Sequence, residues 1–132
     1  MTARIHAATQ SISTYMILEA ADVDLSAVGT TGLGSMEVEV VDPVAAYAEM
    51  MEGLFDFDAI RALFASGFRM RFDAMHAVTG PYATAILEGT LGAAAGTVIN
   101  GVPSPDFGGG HPDPYPIWAK TLMDEMMGPD AP

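Results

Sequence analysis

Along the first stretch of the chain the apolar positions Ile5, Ala8, Ile12 and Tyr15 recur every three or four residues, the spacing of one helix face. That pattern predicts a short amphipathic helix over residues 2–17. From 18 to 35 the period disappears and Gly29, Gly32 and Gly34 interrupt the chain, which reads as a linker closing one unit and opening another. In "MEVEVVD" (36–42), Met36, Val38 and Val40 alternate with acidic residues, the mark of a half-exposed strand. Asp42 then stands where a carboxylate caps a helix, and Pro43 where a missing N–H costs nothing. The helix that follows carries a stripe of Val44, Tyr47, Met50, Met51 and Leu54, and Asp56 caps a second, short helix that ends before Gly67. Next, Phe68, Met70 and Phe72 alternate with Arg69, Arg71 and Asp73, so a strand within 68–78 ends near Asp73. Residues 79–92 form a helix with Thr79 as its N-cap, Pro81 in its first turn and Gly92 as its stop. A short apolar strand lies within 95–104, and the loop "FGGGHPDPYP" occupies 107–116. The last helix, 115–127, offers Ile117, Trp118, Leu122, Met123 and Met126 for packing.

Strands alternating with helices in this way imply an α/β fold, a three-layer α/β/α arrangement with a small, mostly parallel or mixed sheet. The boundary between the leading helix with its linker and the α/β domain falls between 35 and 36, giving segments 1–35 and 36–132.

Composition narrows the function classes. The chain has 132 residues and is 50% hydrophobic, too apolar for disorder and long enough for a core. No apolar run approaches the roughly 20 residues of a membrane helix, and the first ten residues lack the apolar stretch of a signal peptide, so a cytoplasmic protein without membrane contact is expected. Without cysteine there are neither disulfides nor thiolate metal sites. The net charge of −12, with Arg4, Arg61, Arg69, Arg71 and Lys120 as the only Lys or Arg residues, opposes nucleic acid binding and reads as a solvated acidic surface.

Candidate chemistry is confined to two stretches that each follow a strand. In "FDAMHAVTGPY" (72–82), His76 and Thr79 precede a helix N-terminus, a place where anions bind, against the plainer reading that Thr79 only caps the helix. In 107–116 the glycines free the backbone and the prolines stiffen the exit; His111 is placed to donate to an anion with Asp113 orienting it, or to tie the loop down through backbone contacts. The spacing of His76 and His111 matches no zinc signature, and the chain contains no nucleophile elbow, P-loop or dinucleotide fingerprint. No residue is assigned a catalytic or metal-binding role.

These two stretches, "FDAMHAVTGPY" and "LGAAAGTVINGVPSPDFGGGHPDP", closely resemble the phosphoglucomutases of the α-D-phosphohexomutase superfamily, as do the upstream "VEVVDPVAAYAEMMEGLFDFDAIRALF" and "DVDLSAVGTT". The resemblance covers nearly the whole chain. It implies the second of four domains, incomplete at its end, preceded by the last helix of the first. It places Asp73, His76, Thr79, Asp106, Gly108, Gly109, Gly110, His111 and Asp113 in loops near the catalytic cleft. The family interconverts glucose 1-phosphate and glucose 6-phosphate through a phosphoserine and a bisphosphate intermediate, with magnesium. Its T-A-S-H-N-P serine stretch, D-G-D-G-D-R metal loop and G-E-E-S sugar loop do not occur here, so this chain alone is expected to hold no cofactor and to be inactive. The alternative is a free-standing binding or assembly module derived from that domain, binding a sugar phosphate weakly or other protein chains. Tyr115 stands where the family usually has asparagine, Thr84 where lysine is frequent, and "GTTGLGS" lacks the charged residues common there. In the family the strand entering the metal loop pairs inside this domain's sheet. Its absence leaves the strand at 68–73 with an open side, from which a homodimer or higher homo-oligomer is expected, by edge pairing or exchange of an end segment, unless 36–42 fills the gap within one chain.

Overall fold

A computed structural model describes residues 2–129 and Ala131; Met1, Asp130 and Pro132, at the outer ends of the two expected segments, lie outside the described residues. The chain divides into two compact units, Met1–Val41 and Asp42–Pro132.

In the first unit, helix α1 spans Thr2–Ser11 and buries none of its residues. The helix expected to reach 17 stops early for a local reason. The hydroxyls of Thr9 and Ser11 donate to the carbonyls of His6 and Ala8 at 2.8 and 2.9 Å, and β-branched Ile12 and Thr14 follow. Ile5, Ile12 and Tyr15 stay exposed, so the expected apolar face covers nothing within this unit. The stretch read as linker contains a strand. β1 (Gly29–Leu33) pairs antiparallel with β2 (Met36–Val40), Leu33 opposite Met36 and Gly29 opposite Val40. Gly34, at φ +61°, is the first central residue of the two-residue turn, where a hairpin needs positive φ. "GTTGL" carries no alternation to betray a strand; it is recruited by β2, and the division between units accordingly falls after Val41.

The second unit opens as the sequence implies. The Asp42 carboxylate accepts from the backbone N–H groups of Val44 and Ala45 at 2.8 and 3.2 Å, starting α2 (Pro43–Leu54). Asp56 accepts from Ala59 N–H at 2.9 Å, starting α3 (Phe57–Ala65). β3 (Phe72–Asp73) and β4 (Val98–Ile99) pair in parallel, with Phe72 N–H donating to Thr97 O at 2.9 Å and Ala74 N–H to Ile99 O at 3.0 Å. The strand from 68 does end at Asp73, but regular pairing occupies two residues of each expected strand. The fold is thus α/β with mixed strand directions, carried by two separate two-stranded sheets rather than one.

Between these strands runs α4 (Thr79–Ala83), which widens into a π-helical segment over Thr84–Thr90, with Leu91 N–H donating to Ile86 O at 2.8 Å. The widening delivers the Glu88 carboxylate to Val98 N–H at 2.8 Å, on the edge of β4 that faces away from β3. Thr79 is not the N-cap. Val78 holds that position without a side-chain bond, and Thr79 sits exposed inside the first turn.

The start of α4 is pressed onto the loop after β4. Gly80 is buried, and a Cβ there would overlap the carbonyl of Gly101. The core around it is modest: Phe57, Ala74, Ala83, Leu91 and Ala93 are the buried apolar residues described, with Thr97. Tyr47 of α2 and Tyr82 of α4 meet edge to face at 5.3 Å. Beside them an apolar cavity of about 450 Å³ is lined by Met51, Phe57, Met70, Phe72 and Leu91 among others. α5 (Lys120–Met127) begins later than expected, after a turn in which Trp118 and Ala119 N–H both donate to Tyr115 O. Ile117, Trp118, Met123 and Met126 remain largely exposed. The Arg71 guanidinium ties this helix to the sheet, bonding Glu125 at 2.7 Å and the Gly96 carbonyl.

The glycine contact makes a direct prediction. Gly80→Ala forces α4 off Gly101 and lowers unfolding stability in urea by about 1–3 kcal/mol. Gly53→Ala, in α2 with open space around its Cβ position, raises it by about 0.5–1 kcal/mol. Equal effects from the two would contradict the close approach.

Candidate functional site

Most of the resemblance-derived residues meet where β3 and β4 end. The Asp73 Oδ1 atom accepts from Met75 N–H and from the Asn100 amide, both at 2.9 Å, joining the ends of the two strands. Met75, His76 and Asn100 all adopt left-handed backbone conformations, with φ of 52°, 54° and 51°. Such angles cost non-glycine residues energy and persist where surrounding bonds fix them. Here the bonds are plain: His76 N–H donates to Asn100 O at 3.0 Å, and Ser104 N–H donates to His76 O at 2.9 Å.

The His76 ring is held too. Its Nδ1 lies 3.0 Å from the Val102 carbonyl, and because a carbonyl only accepts, Nδ1 carries the proton. The ring edge packs on Gly108, where a Cβ would come within 2.5 Å of His76 Cδ2. Gly108 also has φ +66°, so glycine is required there twice over. Asp106 organises this end of the loop. It accepts from the Ser104 hydroxyl and from Gly108 N–H, and Gly109 N–H donates to the Asp106 backbone carbonyl at 3.0 Å. The Ser104 hydroxyl first, then the Gly108 N–H, hold the Asp106 carboxyl below its ordinary value.

The second half of the loop is a different object. The His111 ring stacks on Trp118 at 4.4 Å between centroids, and its Nδ1 is 3.7 Å from Asp113. The expected bracing of the loop by His111 is therefore through ring stacking; no backbone bond of its side chain appears among the described residues. Asp113, Pro114, Tyr115 and Trp118 line a shallow hollow. Thr79 joins neither group and lines the apolar cavity. Sequence reasoning missed Asn100, Ser104 and Trp118 as partners. Asn100 was detectable as a residue type that tolerates positive φ just before a glycine; the other two gave no signal.

The polar groups of this site bond to backbone and to one another. Asp73 and Asp106 each use an oxygen on loop N–H groups, and Asn100 and His76 fix strand ends. Among the described residues no group of three or more His, Asp or Glu side chains is placed to hold a metal ion. Nor is any described helix long and apolar enough to cross a membrane.

No family model matches the chain. It is 52% identical over 132 residues to a phosphoglucomutase of Rhizobium radiobacter, covering all of this chain and 24% of that protein. The chain is a relative of the phosphoglucomutases. A chloroplastic phosphoglucomutase of Arabidopsis thaliana is 52% identical over 134 residues, covering 98% of this chain and 22% of its own length. A solved structure of the Paramecium phosphoprotein parafusin, a phosphoglucomutase in its open form, overlays with a TM-score of 0.73 at 42% identity, over 80% of this chain and 20% of that one. The chain thus spans between a fifth and a quarter of the phosphoglucomutases it matches.

Two measurements test the site. The pH titration of Asp106, followed through the Gly108 amide signal, has its midpoint below the roughly 3.9 of an unperturbed aspartate. Because the folded value is lowered, the loop tie is complete above that range and is lost as pH falls through the folded value. Ser104→Ala moves the midpoint upward; an unmoved midpoint would contradict the assignment. His111→Ala changes the emission of the single tryptophan and lowers stability by about 0.5–1 kcal/mol, the worth of an exposed ring pair.

Proposed function

We propose that these residues serve as one α/β segment of a phosphoglucomutase-type enzyme, which interconverts glucose 1-phosphate and glucose 6-phosphate through a phosphoserine and a bisphosphate, and that by themselves they do not turn over. The observation that carries this reading is the 52% identity running through the whole chain, including both loop stretches, to a protein about four times as long. The serine, metal and sugar motifs of that family lie outside these 132 residues. The role left to the segment is to shape the cleft with fixed backbone at the carboxyl ends of two parallel strands, where ligands of α/β folds bind. Magnesium, in this reading, is held elsewhere in the complete enzyme, where it offsets charge on the transferring phosphoryl group.

A chimera tests the proposal. Replacing the matching quarter of the Rhizobium radiobacter phosphoglucomutase with this chain yields an enzyme that still forms glucose 6-phosphate in a coupled assay with magnesium and glucose 1,6-bisphosphate. The isolated chain gives no turnover above the buffer blank. A folded but inactive chimera, or an active isolated chain, would each overturn part of the reading. Calorimetric titration with glucose 6-phosphate addresses the alternative: saturable binding by the isolated chain favours a binding module.

A further inference from the structure

Asparagine occurs once in these 132 residues, at position 100, and glycine follows it. The side-chain carbon Cγ of an asparagine is open to attack by the backbone nitrogen of the next residue, which makes asparagine thermolabile, and a glycine there has no Cβ to hinder the approach. The fold needs both residues of this pair. Position 100 is left-handed at φ 51°, where asparagine is favoured among residues with a side chain. At Gly101 an added Cβ would meet Val98 Cγ1 at 3.2 Å and Thr84 Oγ1 at 3.4 Å, and the Gly101 carbonyl lies against Gly80.

The pair is also restrained. Asn100 Nδ2 donates to Asp73 Oδ1 at 2.9 Å, and the Asn100 backbone carbonyl accepts from His76 N–H at 3.0 Å. The same Asp73 oxygen accepts from Met75 N–H at 2.9 Å, so the acceptor is itself held in place. All of these contacts lie within the second unit. Attack on Cγ requires the amide to turn toward Gly101 N, and the Asp73 bond opposes that rotation.

We infer that Asn100–Gly101 is a site of hydrolytic deamidation which the Asp73 carboxylate keeps unreactive, and whose reaction breaks the tie between the strand ends permanently. Once the Asp73 bond opens, Gly101 N attacks Asn100 Cγ. The N–Cγ bond forms, the Cγ–Nδ2 bond breaks, and the proton lost by Gly101 N departs with Nδ2 as ammonia, leaving a cyclic imide. Water then adds to either imide carbonyl and opens the ring, returning a proton to the nitrogen. One opening gives aspartate at position 100, the other isoaspartate. Either product sets a carboxylate where the amide donor stood, so Asp73 faces an acceptor of like charge and the bond does not reform.

The test follows ammonia release and the mass of the peptide holding residue 100 while the chain is incubated at neutral pH, folded and in urea. The one other side-chain amide is Gln10, which falls in a different peptide. The folded natural chain converts about tenfold more slowly than the unfolded chain, or slower still, because reaction waits on local opening. Asp73→Ala, folded by circular dichroism, converts about tenfold faster than the natural folded chain, the effect of losing one hydrogen bond to a charged acceptor. Asp106→Ala removes a loop tie that does not touch Asn100 and leaves the natural rate. Asn100→Asp lowers the urea midpoint, and adding Asp73→Asn, which exchanges donor and acceptor, recovers it. A folded natural chain as reactive as the unfolded one overturns the inference. So does a folded Asp73→Ala chain no faster than the natural one, or an Asp106→Ala chain equally fast. If Asp73→Ala does not fold, the natural chain in and out of urea and the Asn100→Asp pair decide: an Asn100→Asp chain as stable as the natural one, or an exchange that recovers nothing, overturns it.

Discussion

At the start of α4 there is no room for a methyl group. Gly80 lies against the Gly101 carbonyl, and that contact sets how closely the helix after β3 packs on the loop after β4. From it follow the other features of the second unit. The helix must stay near the strand ends, so Asp73 can reach both Met75 and Asn100. Asn100, fixed left-handed, aims its carbonyl at His76 N–H, and His76 in turn supports Ser104 and Gly108. A single backbone-to-backbone approach thus propagates through side chains that each hold the next turn.

Such dependence on polar ties is a consequence of a thin core. Of the five buried apolar residues among the described ones three are alanines, and the β3–β4 pairing is two residues long. Burial of that size leaves little to offset the ordering of long loops. Connections from the edges of the unit supplement it: Arg61 bonds Glu52, Asp58 and the Thr90 carbonyl, and Arg71 bonds Glu125 and the Gly96 carbonyl. Where partly shielded, as at Arg71 and Glu125, such a pair is less screened than one in open water.

What could be read from sequence was local. Asp42 with Pro43, and Asp56, start their helices because a short carboxylate next to a free N–H acts within its own turn. The end of the 68–73 strand at Asp73 and the helix stop at Gly92 are equally local, the latter through φ +78°. What could not be read depends on partners far along the chain. β1 exists because β2 pairs with it, and "GTTGL" has no period of its own. The π-helical turn over Thr84–Thr90 places Glu88 on Val98, a demand set ten residues away. Thr79 looked like a cap from its residue type, but the cap position went to Val78. Within the site, the bonds that join Asp73, His76, Asp106 and Gly108 run between strand ends and loops and have no local signal. The separation of His111 from them has none either, because it depends on Trp118 offering a ring to stack on.

That separation explains why one loop needs both three glycines and three prolines. Its first half must follow the His76 ring closely, through left-handed Phe107, Gly108 and Gly109. Its second half must leave without bonding back to the sheet, and prolines limit where an extended chain can go when few hydrogen bonds guide it. The two demands are opposite, freedom in φ followed by restriction of φ, and Gly110 marks the change, extended at φ −108°. His111 then anchors the exit by stacking on Trp118, just ahead of α5. The loop signature therefore encodes a backbone path. Its His111 and Asp113, and Asp106 just before it, are engaged with their own neighbours.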